Sequence, residues 1–109
     1  MEPGEPEAGY EYPCDVGRID LLATNKGKGP RRWLVVELKK DQSSDDTVGQ
    51  VLRYMGWVAE NLAEAGEKVE GLAIAHEGDR RLEYALKATG NVWLMLYEVE
   101  FNLREQAVK

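Results

Sequence analysis

Asp15–Thr24 and Trp33–Lys40 both read as strands, and between them lies Asn25-Lys26-Gly27-Lys28-Gly29-Pro30, the most loop-like stretch of the region. Two strands joined by such a turn form a hairpin, and in a symmetric hairpin facing residues have numbers with a constant sum. A turn centred between Lys28 and Gly29 sets Asp20 directly opposite Glu37. Side chains alternate between the two faces of a strand, so Lys39 is expected on the face of Glu37, with Leu34, Val36 and Leu38 on the other. Asp20, Glu37 and Lys39 should then converge on one patch.

Two carboxylates and an ammonium in such a patch suit a metal-assisted attack on a phosphodiester. The carboxylates hold a hard divalent cation, and the ammonium steadies the attacking water or the phosphate. The simpler reading is a cross-strand ion pair on a solvated sheet face. It accounts for the charges but leaves two acids facing each other. Opposed carboxylates repel and raise one another's pKa unless a cation joins them.

A chain of 109 residues holds one core. The longest apolar run, Val92 to Tyr97, is far short of the ~20 residues of a membrane span, and Met1 is followed by Glu, Pro and Gly rather than by a basic, then apolar, leader. The single cysteine, Cys14, cannot form an internal disulfide and reads as a small, partly buried residue in a reducing cytoplasm. The net charge of −6 is uneven: the first twenty residues hold six acids and one base, leaving fourteen acids and thirteen bases for the rest. Basic pairs at Lys26/Lys28, Arg31/Arg32, Lys39/Lys40 and Arg80/Arg81 can meet phosphates or simply be solvated, so charge alone does not decide for or against nucleic acid.

Residues 1–9, rich in Pro and Gly, read as a flexible segment, residues 10–103 as the domain and 104–109 as a tail. Tyr10 to Pro13 reads as an extended lead-in. Ser43 and Asp46 have capping-box-like spacing, so a helix is expected from Asp45 to Ala65, closed by Gly66. Its apolar stripe is Val48, Val51, Leu52, Met55, Val58, Ala59 and Leu62, centred near Met55. On that wheel Gln50, Tyr54 and Trp57 lie roughly 140°, 100° and 160° from the centre, which predicts an exposed Trp57 and a surface for a partner. A strand Val69–Ala75, a helix from Asp79 to Thr89 and a strand Asn91–Phe101 follow. The order β-β-α-β-α-β, with a further strand in front, predicts an α/β fold: a mixed β-sheet flanked by helices. His76, at a strand end, reads as a locally hydrogen-bonded residue. Lys26-Gly27-Lys28-Gly29 lacks the Gly-Lys-Ser/Thr ending of a phosphate loop and reads as a turn.

Three segments together resemble the PD-(D/E)xK nuclease superfamily, within it the NucS/EndoMS catalytic domain and its single-domain relatives. They are Gly17-Arg18-Ile19-Asp20-Leu21-Leu22, Val35-Val36-Glu37-Leu38-Lys39-Lys40, and Gly49-Gln50-Val51-Leu52-Arg53-Tyr54, with Val69 to Ala75 as the next strand. The resemblance implies a restriction-endonuclease-like core that hydrolyses DNA with Mg²⁺ or Mn²⁺. Asp20, Glu37 and the Leu38 carbonyl would be metal ligands, and Lys39 would orient the water. Gln50 would join the catalytic set, and Arg18, Lys40, Gln50 and Tyr54 would contact DNA. The family also carries an acidic residue on a helix before the first strand. Here only a Pro/Gly-rich stretch precedes Tyr10, so the resemblance implies a core lacking that first helix, with Glu5, Glu7 or Glu11 as substitutes. A homodimer that covers Trp57 follows as an expectation. The rival functions are a catalytically silent binding module of the same fold and an RNA-directed nuclease.

Overall fold

The computed structural model describes residues 8–25, 29–40, 42–76, 80–98 and 103–105. Their elements run β1 (Gly9–Cys14), β2 (Gly17–Thr24), β3 (Arg32–Leu38), α1 (Ser44–Asn61), β4 (Lys68–Ala75), α2 (Arg80–Lys87) and β5 (Val92–Leu96). Five strands form one sheet in the order β1-β2-β3-β4-β5. The first three are antiparallel neighbours, and β3, β4 and β5 are parallel. The expected element order and mixed α/β sheet are present. Among the described residues, no helix is long and apolar enough to cross a membrane.

Both crossovers step one strand in the same direction, so right-handed connections place α1 and α2 on the same face of the sheet. Val51, Tyr54, Met55 and Val58 of α1 share one core with Leu82 and Leu86 of α2 and with Ile19, Leu22, Trp33, Val35, Ala73, Ala75 and Val92 of the sheet. Beneath α1, strand β4 presents Gly71, Ala73 and Ala75, all buried and small, which lets the helix lie close. The opposite face carries Leu34, Leu72, Trp93 and Met95 around a shallow trough of about 760 Å³, with Trp93 and Met95 half exposed.

The helix is turned from its expected setting. Its buried residues are Ser44, Thr47, Val51, Tyr54, Met55 and Val58, whereas Leu52 and Ala59 are exposed. The buried stripe is therefore rotated by roughly 50° toward Tyr54. The first two strands cause the shift. Ile19 of β2 is buried in the same core, while Tyr12 of β1 packs against it, so α1 must cover the hairpin as well as the parallel strands. Trp57 is consequently half-buried, with its ring 6.2 Å from that of Tyr12. The expected exposed tryptophan face is covered from within the chain, which removes the ground on which a homodimer through Trp57 rested.

Helix boundaries follow local hydrogen bonding. The Ser43 side chain accepts from the Asp46 N–H at 3.1 Å, as the capping spacing predicts. The other end comes earlier than Ala65. Leu62 and Ala63 both donate to the Val58 carbonyl, and the Asn61 amide donates to the Trp57 carbonyl at 2.9 Å, closing the helix before Gly66. Residue 79 and residues 99–102, expected in α2 and the last strand, lie outside the described residues, as do residues 1–7.

A methyl group at Gly71 would stand 2.7 Å from Met55 Sδ and 2.8 Å from Val51 Cγ1. Gly71→Ala should therefore lower stability by about 1–3 kcal/mol in thermal or urea denaturation. Gly56→Ala, on the exposed face of α1 with open space around it, should raise stability by roughly 0.5–1 kcal/mol. Equal effects at the two sites would contradict the close approach of α1 to β4.

Candidate active site

The β2–β3 ladder has the predicted register, from Thr24 opposite Trp33 to Leu21 opposite Val36. Extended one step, it brings Asp20 to Glu37, and here the two carboxyl groups replace main-chain pairing. The Asp20 N–H donates to Glu37 Oε1 at 2.9 Å, and the Leu38 N–H donates to Asp20 Oδ2 at 2.8 Å. On the other side of β2, the pairs with β1 pass from Tyr10↔Leu21 to Tyr12↔Ile19, skipping Glu11 and Asp20. Glu11 has φ +47°, a left-handed backbone uncommon for a residue with a side chain. This kink lets Ile19 and Leu22, three apart, both enter the core, which strict alternation forbids. Asp20 sits at the break.

Glu37 is on the face covered by α1 and only 3% exposed, so the solvated-face reading does not hold for it. Its carboxyl is pushed up to about 7, first by burial and then by the charge and hydrogen bond of the Asp20 carboxyl, against the lowering effects of the Asp20 N–H and Lys40. The charge of the nearby Asp20 carboxyl disfavours the ionised form of Glu37.

A cavity of about 180 Å³ opens over this pair, lined by Arg18, Asp20, Glu37, Leu38, Lys40, Gln42, Gln50 and Tyr54. Most of the residues singled out in the sequence are thus gathered together. Lys39 is not among the lining residues; it is half-buried and its N–H continues the β3–β4 ladder by donating to the Ile74 carbonyl at 2.8 Å. Lys40 does line it, with Nζ 3.4 Å from Asp20 Oδ1.

Tyr54 is a core residue, 6% exposed, and not the surface contact expected from the helical wheel. Burial raises its pKa first, and the nearby Glu37 carboxylate adds to this. Its hydroxyl is hydrogen-bonded to the Arg18 backbone and stands where a side chain on Gly17 would be, 2.5 Å from a Cβ there. Gly17 also has φ +138°, so glycine is required twice over. Tyr54 of α1 thereby braces the strand that carries Asp20. Arg18 itself is at the rim, its exposed guanidinium 3.9 Å from Glu11. Glu11 is thus engaged by Arg18, while Glu5 and Glu7 lie outside the described residues.

Gln42 is the lining residue that the sequence reading missed. It accepts the Lys40 N–H at 2.8 Å and donates to the Leu38 carbonyl at 3.1 Å. A glutamine placed four residues after the carbonyl it contacts, just ahead of the helix cap Ser43, was the available signal.

The site is hard in donor character. It offers the Asp20 and Glu37 carboxyl groups and the Leu38 carbonyl, and among the described residues no cluster of three His, Cys, Asp or Glu side chains forms a metal cage. That set fits a small divalent cation such as Mg²⁺, which binds through one or two carboxylates and retains several waters. The nearness of the Asp20 carboxyl to Glu37 is the observation in favour, since a bound cation would offset the repulsion that helps to raise Glu37.

This is a restriction-endonuclease-like α/β fold of the NucS nuclease type. It is similar to the crystal structure of a repair endonuclease from Pyrococcus abyssi, with a TM-score of 0.63 and 25% identity. The similarity covers 82% of this chain and 36% of that one, so this chain spans about a third of the endonuclease's length. No protein-family model and no curated protein sequence matches the chain.

The raised Glu37 pKa sets a pH dependence. Glu37 is easier to protonate in the folded chain than unfolded, so its stabilising contribution is complete below about pH 4.5 and is lost as pH rises through about 7. In metal-free protein, thermal denaturation should show stability falling across that window. Glu37→Gln, a stand-in for the protonated acid, should flatten the fall and melt above the parent at about pH 8. A parent-like decline in the variant would assign the titration to another group.

Proposed function

We propose that this chain is a divalent-metal-dependent endonuclease domain that hydrolyses DNA phosphodiester bonds. The observation that carries the reading is the Asp20–Glu37 carboxyl pair, each acid bonded to the main chain of the other's strand, in a fold shared with a repair endonuclease. Mg²⁺ or Mn²⁺, when bound, would supply an acidified water and draw charge from the scissile phosphate. Asp20, Glu37 and the Leu38 carbonyl would hold it. Gln50, whose amide oxygen lies 3.5 Å from Gln42 Nε2, would meet the water or the DNA backbone, and Arg18 at the rim would meet a neighbouring phosphate. Tyr54 would support rather than touch the DNA, because its hydroxyl is turned inward on Gly17 and Arg18.

Isothermal titration with Mn²⁺ and cleavage of matched DNA and RNA oligonucleotides test the reading. The parent should bind Mn²⁺ and cut DNA, and Asp20→Ala or Glu37→Ala should each weaken Mn²⁺ binding by at least about tenfold while retaining the fold. Unchanged affinity in both variants would remove the metal assignment. Cleavage of RNA alone would transfer the same chemistry to an RNA substrate, and binding of DNA without metal or cleavage would make the domain a silent binding module.

A further inference from the structure

The main chain holds the Gln42 amide in one orientation. The Lys40 N–H can only donate, and it meets Gln42 Oε1 at 2.8 Å. The Leu38 carbonyl can only accept, and it meets Gln42 Nε2 at 3.1 Å. Turning the amide over would set donor against donor and acceptor against acceptor. Nε2 carries a second hydrogen, and on α1 the Gln50 Oε1 stands 3.5 Å from it. An acceptor is required there, so the orientation of Gln42 fixes that of Gln50. Gln50 Oε1 is turned to Gln42, and its Nε2 is left over. That nitrogen has no hydrogen-bond partner among the described residues and is open to solvent. Gln50 itself lines the cavity over Asp20 and Glu37.

We propose that Gln42 is a positioning residue that sets the polarity of Gln50, so that Gln50 offers a ligand of this cavity an N–H donor and withholds its carbonyl oxygen. The inference deepens the nuclease reading and rests on it for its consequence, but not for its geometry. An amide oxygen is a hard donor atom of the kind a divalent cation takes, and an amide nitrogen with two hydrogens is not. With Oε1 engaged by Gln42, Gln50 is left to serve an acceptor: an oxygen of the phosphodiester or of the attacking water. Asp20 and Glu37 repel a phosphate when ionised. A neutral donor on the same cavity gives a phosphate oxygen a partner without adding a charge.

Two measurements on the full chain separate the inference from the reading beneath it. The first follows exchange of the side-chain amide protons with water in ¹⁵N-labelled, metal-free protein at neutral pH. In the parent both Gln42 amide protons should exchange slowly and those of Gln50 rapidly. Gln50→Met should speed one Gln42 proton severalfold and leave the other, which is held by Leu38. Gln42→Glu offers Gln50 only acceptors, so the Gln50 amide should turn over and its exchange should slow severalfold. Such a gain of protection is not what mere loss of structure produces. Unchanged Gln42 exchange in Gln50→Met, or unchanged Gln50 exchange in Gln42→Glu, would overturn the positioning role. The second measurement is cleavage of a DNA oligonucleotide with Mn²⁺. Gln50→Glu keeps the acceptor and loses the donor, so it should cut at least about tenfold more slowly than the parent, as should Gln50→Met. Parent-like cleavage by Gln50→Glu would refute the donor role. If the parent cuts no DNA, the nuclease reading fails, and the exchange rates still decide which way Gln50 faces.

Discussion

At the level of Asp20 and Glu37 the hairpin stops being a ladder, and two carboxyl groups take over the backbone donors that the ladder leaves behind. Glu37 receives the Asp20 N–H and Asp20 receives the Leu38 N–H, so each acid holds the strand of the other. A backbone N–H removed from water costs free energy unless it is paired, and a carboxylate is a strong acceptor. The same two bonds fix the carboxyl groups against one another. What stabilises the break in the sheet is thus also what builds the site.

The surrounding structure keeps this arrangement in place. Beside the left-handed Glu11 of β1, Ile19 and Leu22 of β2 both anchor in the core on either side of Asp20. Tyr54 reaches from α1 to Gly17 and Arg18, three and two residues before Asp20, and its own position is fixed by burial. Small residues along β4 let α1 come near enough for this. Side chains held by packing on a helix and a strand lose little freedom when a ligand arrives, which is the condition for a pre-organised site. Lys40 is the open member, more than half exposed along its side chain and tied at its backbone by Gln42.

The burial of Glu37 has two consequences that pull in opposite directions. It raises the carboxyl to about 7, so the ionised form is harder to reach than in an ordinary glutamate. It also takes the carboxylate out of competition with bulk water, which strengthens its hold on a cation once the proton has gone. Were a cation to bind as proposed, it would displace that proton, so its binding would depend on pH. Lys40 sets an ammonium 3.4 Å from Asp20 Oδ1 in the same place.

Local chemistry was enough to read much of this from the chain. The expected register of the hairpin, and with it the meeting of Asp20 and Glu37, is seen in the paired strands, while residues 26–28 of the expected turn lie outside the described residues. Ser43 determined the start of α1 through a bond three residues long. Where the reading failed, the deciding contact was remote. The rotation of α1, which buried Tyr54 and Trp57 and exposed Leu52, depended on Tyr12 and Ile19 from strands some forty residues earlier. The fold-back of Gln42 onto Leu38 beside the cavity is a contact that no alternation rule contains. Periodicity says that a helix has an apolar side and that a strand has two faces. Which neighbour each side meets, and where a strand ends, is decided by the packing of distant parts of the chain.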